Sequence, residues 1–233
     1  MSVKKKYIIG NWKSNKTSSS SKTWFKDLNT ALITNFADNV VVAIAPAFSL
    51  LEVALEAKKE FPRLASLKIA TQDISPFTAG SYTGAVCAEN VEGLGIEFAI
   101  VGHSERRRYF HETHQDVANK VARCLESGIT PIVCVDDEYI ADQAAAIDNQ
   151  HLSKCIVAYE ELSAIGTGKN ETPEHVTSVI ERVTLVFGSV PVLYGGSVKP
   201  GNIDQYLDIT DGVLVGGASL KGDSFAQIAS AAW

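Results

Sequence analysis

The chain is poor in the residues that mark redox, metal-binding or secreted proteins. Only four of its 233 residues are cysteine, at Cys87, Cys124, Cys134 and Cys155, and no two are spaced as Cys-x-x-Cys. Scattered thiols of this kind read as reduced side chains of a cytoplasmic protein, not as a disulfide framework or a zinc site. Histidine clusters once, at His111 and His114. No further ligand-bearing stretch accompanies the pair, so no metal is expected. Lys and Arg number 21 against 27 Asp and Glu, for a net charge of −6. Without a basic excess, nucleic acid is not an expected partner. No apolar run approaches the roughly 20 residues that cross a bilayer, so no membrane partner is expected either. The basic start, Met1 to Tyr7, leads directly into a strand-like run and not into the apolar core of a signal peptide.

What is present is a regular alternation, with 45% hydrophobic residues to fill a core. Tyr7 to Trp12 reads as a first strand and Ser19 to Phe36 as a helix with a Ser/Thr-rich start that can cap it. Val40 to Ala45 is a second strand, and Ser49 to Phe61 a helix with Leu50, Val53, Ala54 and Ala57 on one face. Leu67 to Thr71 is a third strand. Gln72 to Gly84, rich in Gly, Ser, Thr and Pro, is a long loop. Ala88 to Leu94 reads as a short helix, Phe98 to Val101 as a fourth strand, and Asp116 to Glu126 as a helix stopped at Gly128. A fifth strand, Pro131 to Val135, precedes an Ala-rich helix, Glu138 to Leu152. Cys155 to Tyr159 is a sixth strand, ahead of a helix from Pro173 to Phe187 with Pro in its first turn. Val190 to Tyr194 and Val213 to Val215 are the seventh and eighth strands. Helices follow them near Asn202 to Leu207 and Ser224 to Ala232. Several strands are apolar throughout, as when both faces are buried. Eight such units without a composition break predict one (β/α)8 barrel domain over residues 1–233. An open doubly wound sheet is the competitor. It is weakened by the lack of Gly-x-Gly-x-x-Gly after the first strand.

In a barrel, chemistry gathers at the C-terminal ends of the strands. The sixth strand ends at Glu160, ahead of a stretch containing Gly166 and Gly168. A carboxylate there can serve as a base under a mobile lid. The first strand ends in Asn11 and Lys13, two apart and so on one side of an extended chain. Lys13 offers positive charge to an anionic substrate. The fourth ends in His103, which can polarise a carbonyl or shuttle protons. Beside it, Glu105 and Arg106 carry charges that can hold neighbours in place. The last two strands end in Gly195-Gly196-Ser197 and Gly216-Gly217. Paired glycines let backbone N–H groups approach an anion, and the loops after strands seven and eight are the usual phosphate site of this architecture.

The segments carrying these residues resemble triosephosphate isomerases. They are Asn11-Trp12-Lys13, Gly102-His103-Ser104-Glu105-Arg106-Arg107, Ala158-Tyr159-Glu160, Ala164-Ile165-Gly166-Thr167-Gly168-Lys169, Tyr194-Gly195-Gly196-Ser197-Val198 and Leu214-Val215-Gly216-Gly217-Ala218-Ser219-Leu220. They occur in that family's order from Asn11 to Leu220. The resemblance implies interconversion of dihydroxyacetone phosphate and D-glyceraldehyde 3-phosphate without metal or organic cofactor. It implies that Glu160 is the base, that His103 is a neutral electrophile, and that Lys13 offsets charge with Asn11 beside it. It also implies that Gly166, Ser197, Gly216 and Gly217 hold the phosphate, and that Ile165 and Leu214 clamp Glu160.

The chain departs from the family in three places. Glu161-Leu162-Ser163 stands where the family usually has Pro-Val-Trp, which leads to the expectation of a less decisive lid closure and a reduced turnover. Cys134-Val135-Asp136-Asp137-Glu138 stands for the usual Cys-x-Gly-Glu and leaves open whether Asp136 or Asp137 takes the structural carboxylate's place. The resemblance further implies a homodimer through the loop around Gln72 to Gly84, although Ala85 replaces a common glutamate. A phosphate-ligand-binding barrel of the same family with impaired catalysis is the alternative function.

Overall fold

The computed structural model describes residues 4–161 and 171–232. Its eight strands are all parallel and close into a barrel in chain order. They are β1 (Lys6–Asn11), β2 (Val40–Ala45), β3 (Lys68–Thr71), β4 (Ile96–Val101), β5 (Thr130–Val135), β6 (Ile156–Tyr159), β7 (Val192–Tyr194) and β8 (Gly212–Val215). The ring shuts where β1 pairs with β8, from Tyr7 opposite Gly212 to Gly10 opposite Val215. Two ladders are the shortest. β2 meets β3 through Ala43–Lys68 and Ile44–Ile69, and β7 meets β8 through Leu193–Gly212 and Tyr194–Val213.

The period-two alternation of strand side chains separates two cores. Ile9, Ala43, Ala70, Phe98, Ile100, Ile132, Cys134, Ile156, Ala158, Leu193 and Leu214 fill the barrel interior. Ile8, Val42, Ile44, Val101, Val133, Val157, Tyr159, Val192, Tyr194 and Val213 point the other way, under the helices. This parity sets the site. Residues 11, 160, 195 and 216 continue the inward series of β1, β6, β7 and β8, whereas Glu161 continues the outward series of β6.

The helices are α1 (Ser18–Ala31), α2 (Leu51–Lys59), α3 (Ser104–Phe110), α4 (His114–Glu126), α5 (Ile140–Ala146), α6 (Asn149–Leu152), α7 (Pro173–Phe187), α8 (Asp204–Leu207) and α9 (Gly222–Ser230). Thr17 caps α1 through a reciprocal box with Ser20, and α1 buries Ser21, Trp24, Phe25 and Leu28 at helical spacing. Thr172 caps α7, which starts at Pro173 and buries Val176, Val179, Val183 and Phe187. Among the described residues no helix is long and apolar enough to cross a membrane.

Several boundaries differ from those read in the sequence. The first helix stops at Ala31, because Leu32 turns extended. Buried Leu32 and Phe36 keep an apolar rhythm beyond the helix end. The segment expected as one helix from Glu138 to Leu152 is two. Asp148 accepts a hydrogen bond from the Gln150 N–H and starts a new turn. Ala88–Val91 is a single 3-10 turn. Helix α3 was not anticipated. It buries none of its residues and leaves Tyr109 and Phe110 exposed, so it carries no apolar periodicity.

Candidate active site at the barrel mouth

The strand ends converge on a cleft of about 570 Å³ lined by Asn11, Lys13, His103, Glu105, Glu160, Ser197, Gly216 and Gly217. Volumes of this order suit a small ligand.

Gly102 turns the chain out of β4 with φ of 70°, where a Cβ would meet Arg107 and Val117 within 3.0 Å. That turn makes His103 the cap of α3. The Glu105 backbone N–H donates to His103 Nδ1 at 3.2 Å. A ring nitrogen that accepts is unprotonated, so the proton of the neutral imidazole is on Nε2. Nε2 lies 2.8 Å from Glu160 Oε1 and donates to it. Both residues are buried, at 6% and 4% exposure. Ser104 completes the anchorage. Its N–H donates to Glu160 Oε2 at 2.7 Å and its hydroxyl to Oε1 at 3.3 Å. The base candidate of β6 is thus stored against the first turn after β4.

Lys13 faces them from β1. Its backbone is left-handed, with φ of 51°, an uncommon conformation for a residue with a Cβ. Two bonds hold it there. The Lys13 N–H donates to Asn11 Oδ1 at 2.9 Å, and Gln72 Nε2 donates to the Lys13 carbonyl at 2.9 Å. The same amide nitrogen also reaches the Ala45 carbonyl at 2.8 Å. Lys13 Nζ is paired with Glu105 Oε1 at 2.6 Å. Asn11 therefore acts here on the backbone of Lys13, and Glu105 on its charge.

The far wall is built from the ends of β7 and β8. A Cβ on Gly196 would lie 2.1 Å from the Tyr194 hydroxyl, so only glycine fits beneath that ring. The turn after β8 is tied down by the Ser219 N–H and hydroxyl, which both donate to the Gly216 carbonyl, at 2.9 and 2.7 Å. Trp24 Nε1 of α1 donates to the Ser219 carbonyl at 2.8 Å. Lys199, given no part in the sequence reading, also lines the cleft.

Arg106 holds a neighbour, as expected, through Asp73 in the loop after β3 at 2.9 Å. Glu112 and Lys120 join this network. The two aspartates after β5 divide their work. Asp136 Oδ1 accepts the N–H groups of Glu138 and Tyr139, and burial raises its pKa. Asp137 accepts from the Tyr159 hydroxyl at 2.8 Å and is paired with Arg182 and His175 of α7. It is Asp137 that ties β6 to the helix after it. Among the described residues no group of three or more His, Cys, Asp or Glu is arranged to hold a metal ion.

A family model described as triosephosphate isomerase matches residues 6–232. The chain belongs to the triosephosphate isomerase family. A triosephosphate isomerase of Mesomycoplasma hyorhinis is 40% identical over 245 residues, covering 97% of this chain and 98% of that protein. One from Thermus thermophilus is 38% identical, with 95% and 96% covered. One from Paracidovorax citrulli is 40% identical, with 99% of each covered. The triosephosphate isomerase motifs of β1, β4, β6, β7 and β8 all reach the cleft, and Leu214 lines it. Gly166 and Ile165 lie outside the described residues, as do Leu162 and Ser163 of the altered stretch. The sequence reading gave no role to Ser104, although it lies within a motif, and assigned Gln72 to assembly alone.

Proposed function

We propose that this barrel, over residues 1–233, interconverts dihydroxyacetone phosphate and D-glyceraldehyde 3-phosphate by Glu-mediated proton transfer through an enediolate. The observation that carries the reading is the pairing of Glu160 with His103 Nε2–H in a buried mouth faced by Lys13. A base, a neutral hydrogen-bond donor and a cation are what an enolisation needs. Glu160 leaves Ser104 and takes a proton from the carbon beside the carbonyl. The C–H electron pair becomes the C=C bond, and the carbonyl pair moves to oxygen. His103 donates to that oxygen from Nε2 and relays a proton between the two oxygens. Glu160 returns its proton to the neighbouring carbon. One carbon is oxidised and the next reduced within the same molecule, so no outside electron acceptor is needed. Lys13 leaves Glu105 for the anionic substrate. Gly166, Ser197, Gly216 and Gly217 bind the phosphate, mainly through backbone N–H groups.

The expected location is the cytoplasm and the expected assembly a homodimer. Phe77 and Tyr82 of the loop around Gln72 to Gly84 stack at 4.3 Å. Each is 46% exposed, and both line a second cleft with exposed Phe110. An exposed aromatic cluster of this kind favours a protein partner.

A coupled assay with glyceraldehyde 3-phosphate tests the reaction. Glu160→Gln is expected to lower kcat by about 10²–10⁴-fold, the usual contribution of a positioned base. Glu160→Asp, which keeps the carboxylate but pulls it back, is expected to lose on the order of 10²-fold. A wild-type rate several orders of magnitude below that of an efficient isomerase, and indifferent to Glu160→Gln, would leave the impaired phosphate-binding barrel as the better reading.

A further inference from the structure

Glu161 is a buried carboxylate that the reaction above does not use. It is 3% exposed, and the outward parity of β6 turns it away from the cleft that Glu160 lines. Its Oε2 accepts hydrogen bonds from the Tyr194 hydroxyl at 2.6 Å and from the Glu171 N–H at 2.8 Å. The Tyr206 hydroxyl donates to the Glu171 carbonyl at 3.1 Å. The Tyr206 ring lies on that of Tyr194, 4.0 Å apart and 18° from parallel. Both polar groups of the Glu171 backbone are thereby held, one by Glu161 and one by Tyr206.

The outcome is a closed circuit. Glu161 and Glu171, on either side of residues 162–170, are joined by a side chain across ten positions. Tyr194 carries the circuit to β7 and to Gly195-Gly196 on the far wall. Glu160 is joined by one peptide bond to Glu161, whose carboxylate sits at the centre of this circuit. We infer that Glu161 is a positioning residue, which fixes the Glu160 backbone and the Glu171 anchor against Tyr194 so that the base meets its substrate in register. The inference rests on the proposed isomerase reading.

The choice of glutamate follows from the donors. A carboxyl oxygen has lone pairs enough to accept the Tyr194 hydroxyl and the Glu171 N–H together. Glutamine at this position keeps an oxygen that can accept both bonds, and alanine keeps neither.

The test reads two quantities on the full chain. The first is hydrogen exchange at the Glu171 amide. The second is the split of kcat from KM for glyceraldehyde 3-phosphate. Glu161→Ala is expected to speed exchange at Glu171 and to lower kcat by on the order of 10²-fold with KM little changed, as for a misplaced base. Glu161→Gln is expected to recover most of both. Should the alanine variant fail to fold, Tyr194→Phe removes the hydroxyl donor to Glu161 while keeping the stacked ring, and a smaller loss in kcat is expected. Unchanged exchange at Glu171 in Glu161→Ala would overturn the Glu161–Glu171 link. Faster exchange with wild-type kcat would overturn the positioning role. A wild-type chain without turnover would instead overturn the isomerase reading, and the catalytic half of this inference with it.

Discussion

Cys124 and Cys155 are small apolar groups in all but name. Burial pushes both thiols from an ordinary value of 9.0 up to about 12, with Asp73 adding to the rise at Cys124. A folded-state pKa above the unfolded one favours the fold at low pH, because the unfolded chain alone can release the proton above pH 9. The contribution is complete below about pH 9 and is lost as pH rises toward 12. Thermal midpoints measured from about pH 8 to about pH 11 are expected to fall, and to fall less steeply in the Cys124→Ala/Cys155→Ala double variant. Equal slopes would show that these thiols do not report on folding. At this scale the sequence was informative where chemistry is local. Asn11, Lys13, His103 and Glu160 stand out as rare polar residues ending apolar runs, and all four line the cleft. Ser104 and Gln72 were not legible as site residues. Their work is done by a backbone N–H and a carboxamide across the fold, and neither leaves a pattern along the chain.

Elements transmit the site's geometry through packing. Helix α1 reaches the turn after β8 through Trp24, which is 2% exposed and whose indole N–H is the donor to Ser219. Trp24→Phe keeps an aromatic ring beside Phe25 and Phe225 but leaves a buried carbonyl without its donor. The expected cost is about 1–3 kcal/mol of stability, read from urea unfolding. KM for the phosphorylated substrate is expected to rise with it, because Ser219 also anchors Gly216. A stable variant with unaltered KM would show that α1 does not support that turn. Strands could be read from apolar runs and the long amphipathic helices from periodicity, both imprints of burial on sequence. Helix α3 could not, since it has no buried face. Nor could the break at Asp148, where one capping carboxylate interrupts an Ala-rich run.

Closure into a barrel followed from arithmetic on the whole chain: eight apolar runs, helical segments between them and no break in composition. Parallel strands need crossovers, and eight of them in order leave few other arrangements. The aromatic surface of Phe77 and Tyr82 is the feature for which one chain gives no occupant. Analytical ultracentrifugation at micromolar concentration is expected to show a two-chain species. Phe77→Ala/Tyr82→Ala is expected to shift it toward one chain, and a wild-type chain that sediments alone would remove the dimer.

The two shortest ladders have a mechanical consequence. They cut the ring into an arc of β8, β1 and β2 and an arc of β3 to β7. Lys13 and Gly216 ride on the first arc, and His103 and Glu160 on the second. Gln72 stitches one seam by gripping both Ala45 and Lys13, and the Lys13–Glu105 pair spans the mouth between the arcs. A ligand that draws Lys13 away from Glu105 removes one tie and takes its place. On the mechanism proposed above, the bound substrate becomes a structural member of the hoop, and each product departure hands that brace back to Glu105.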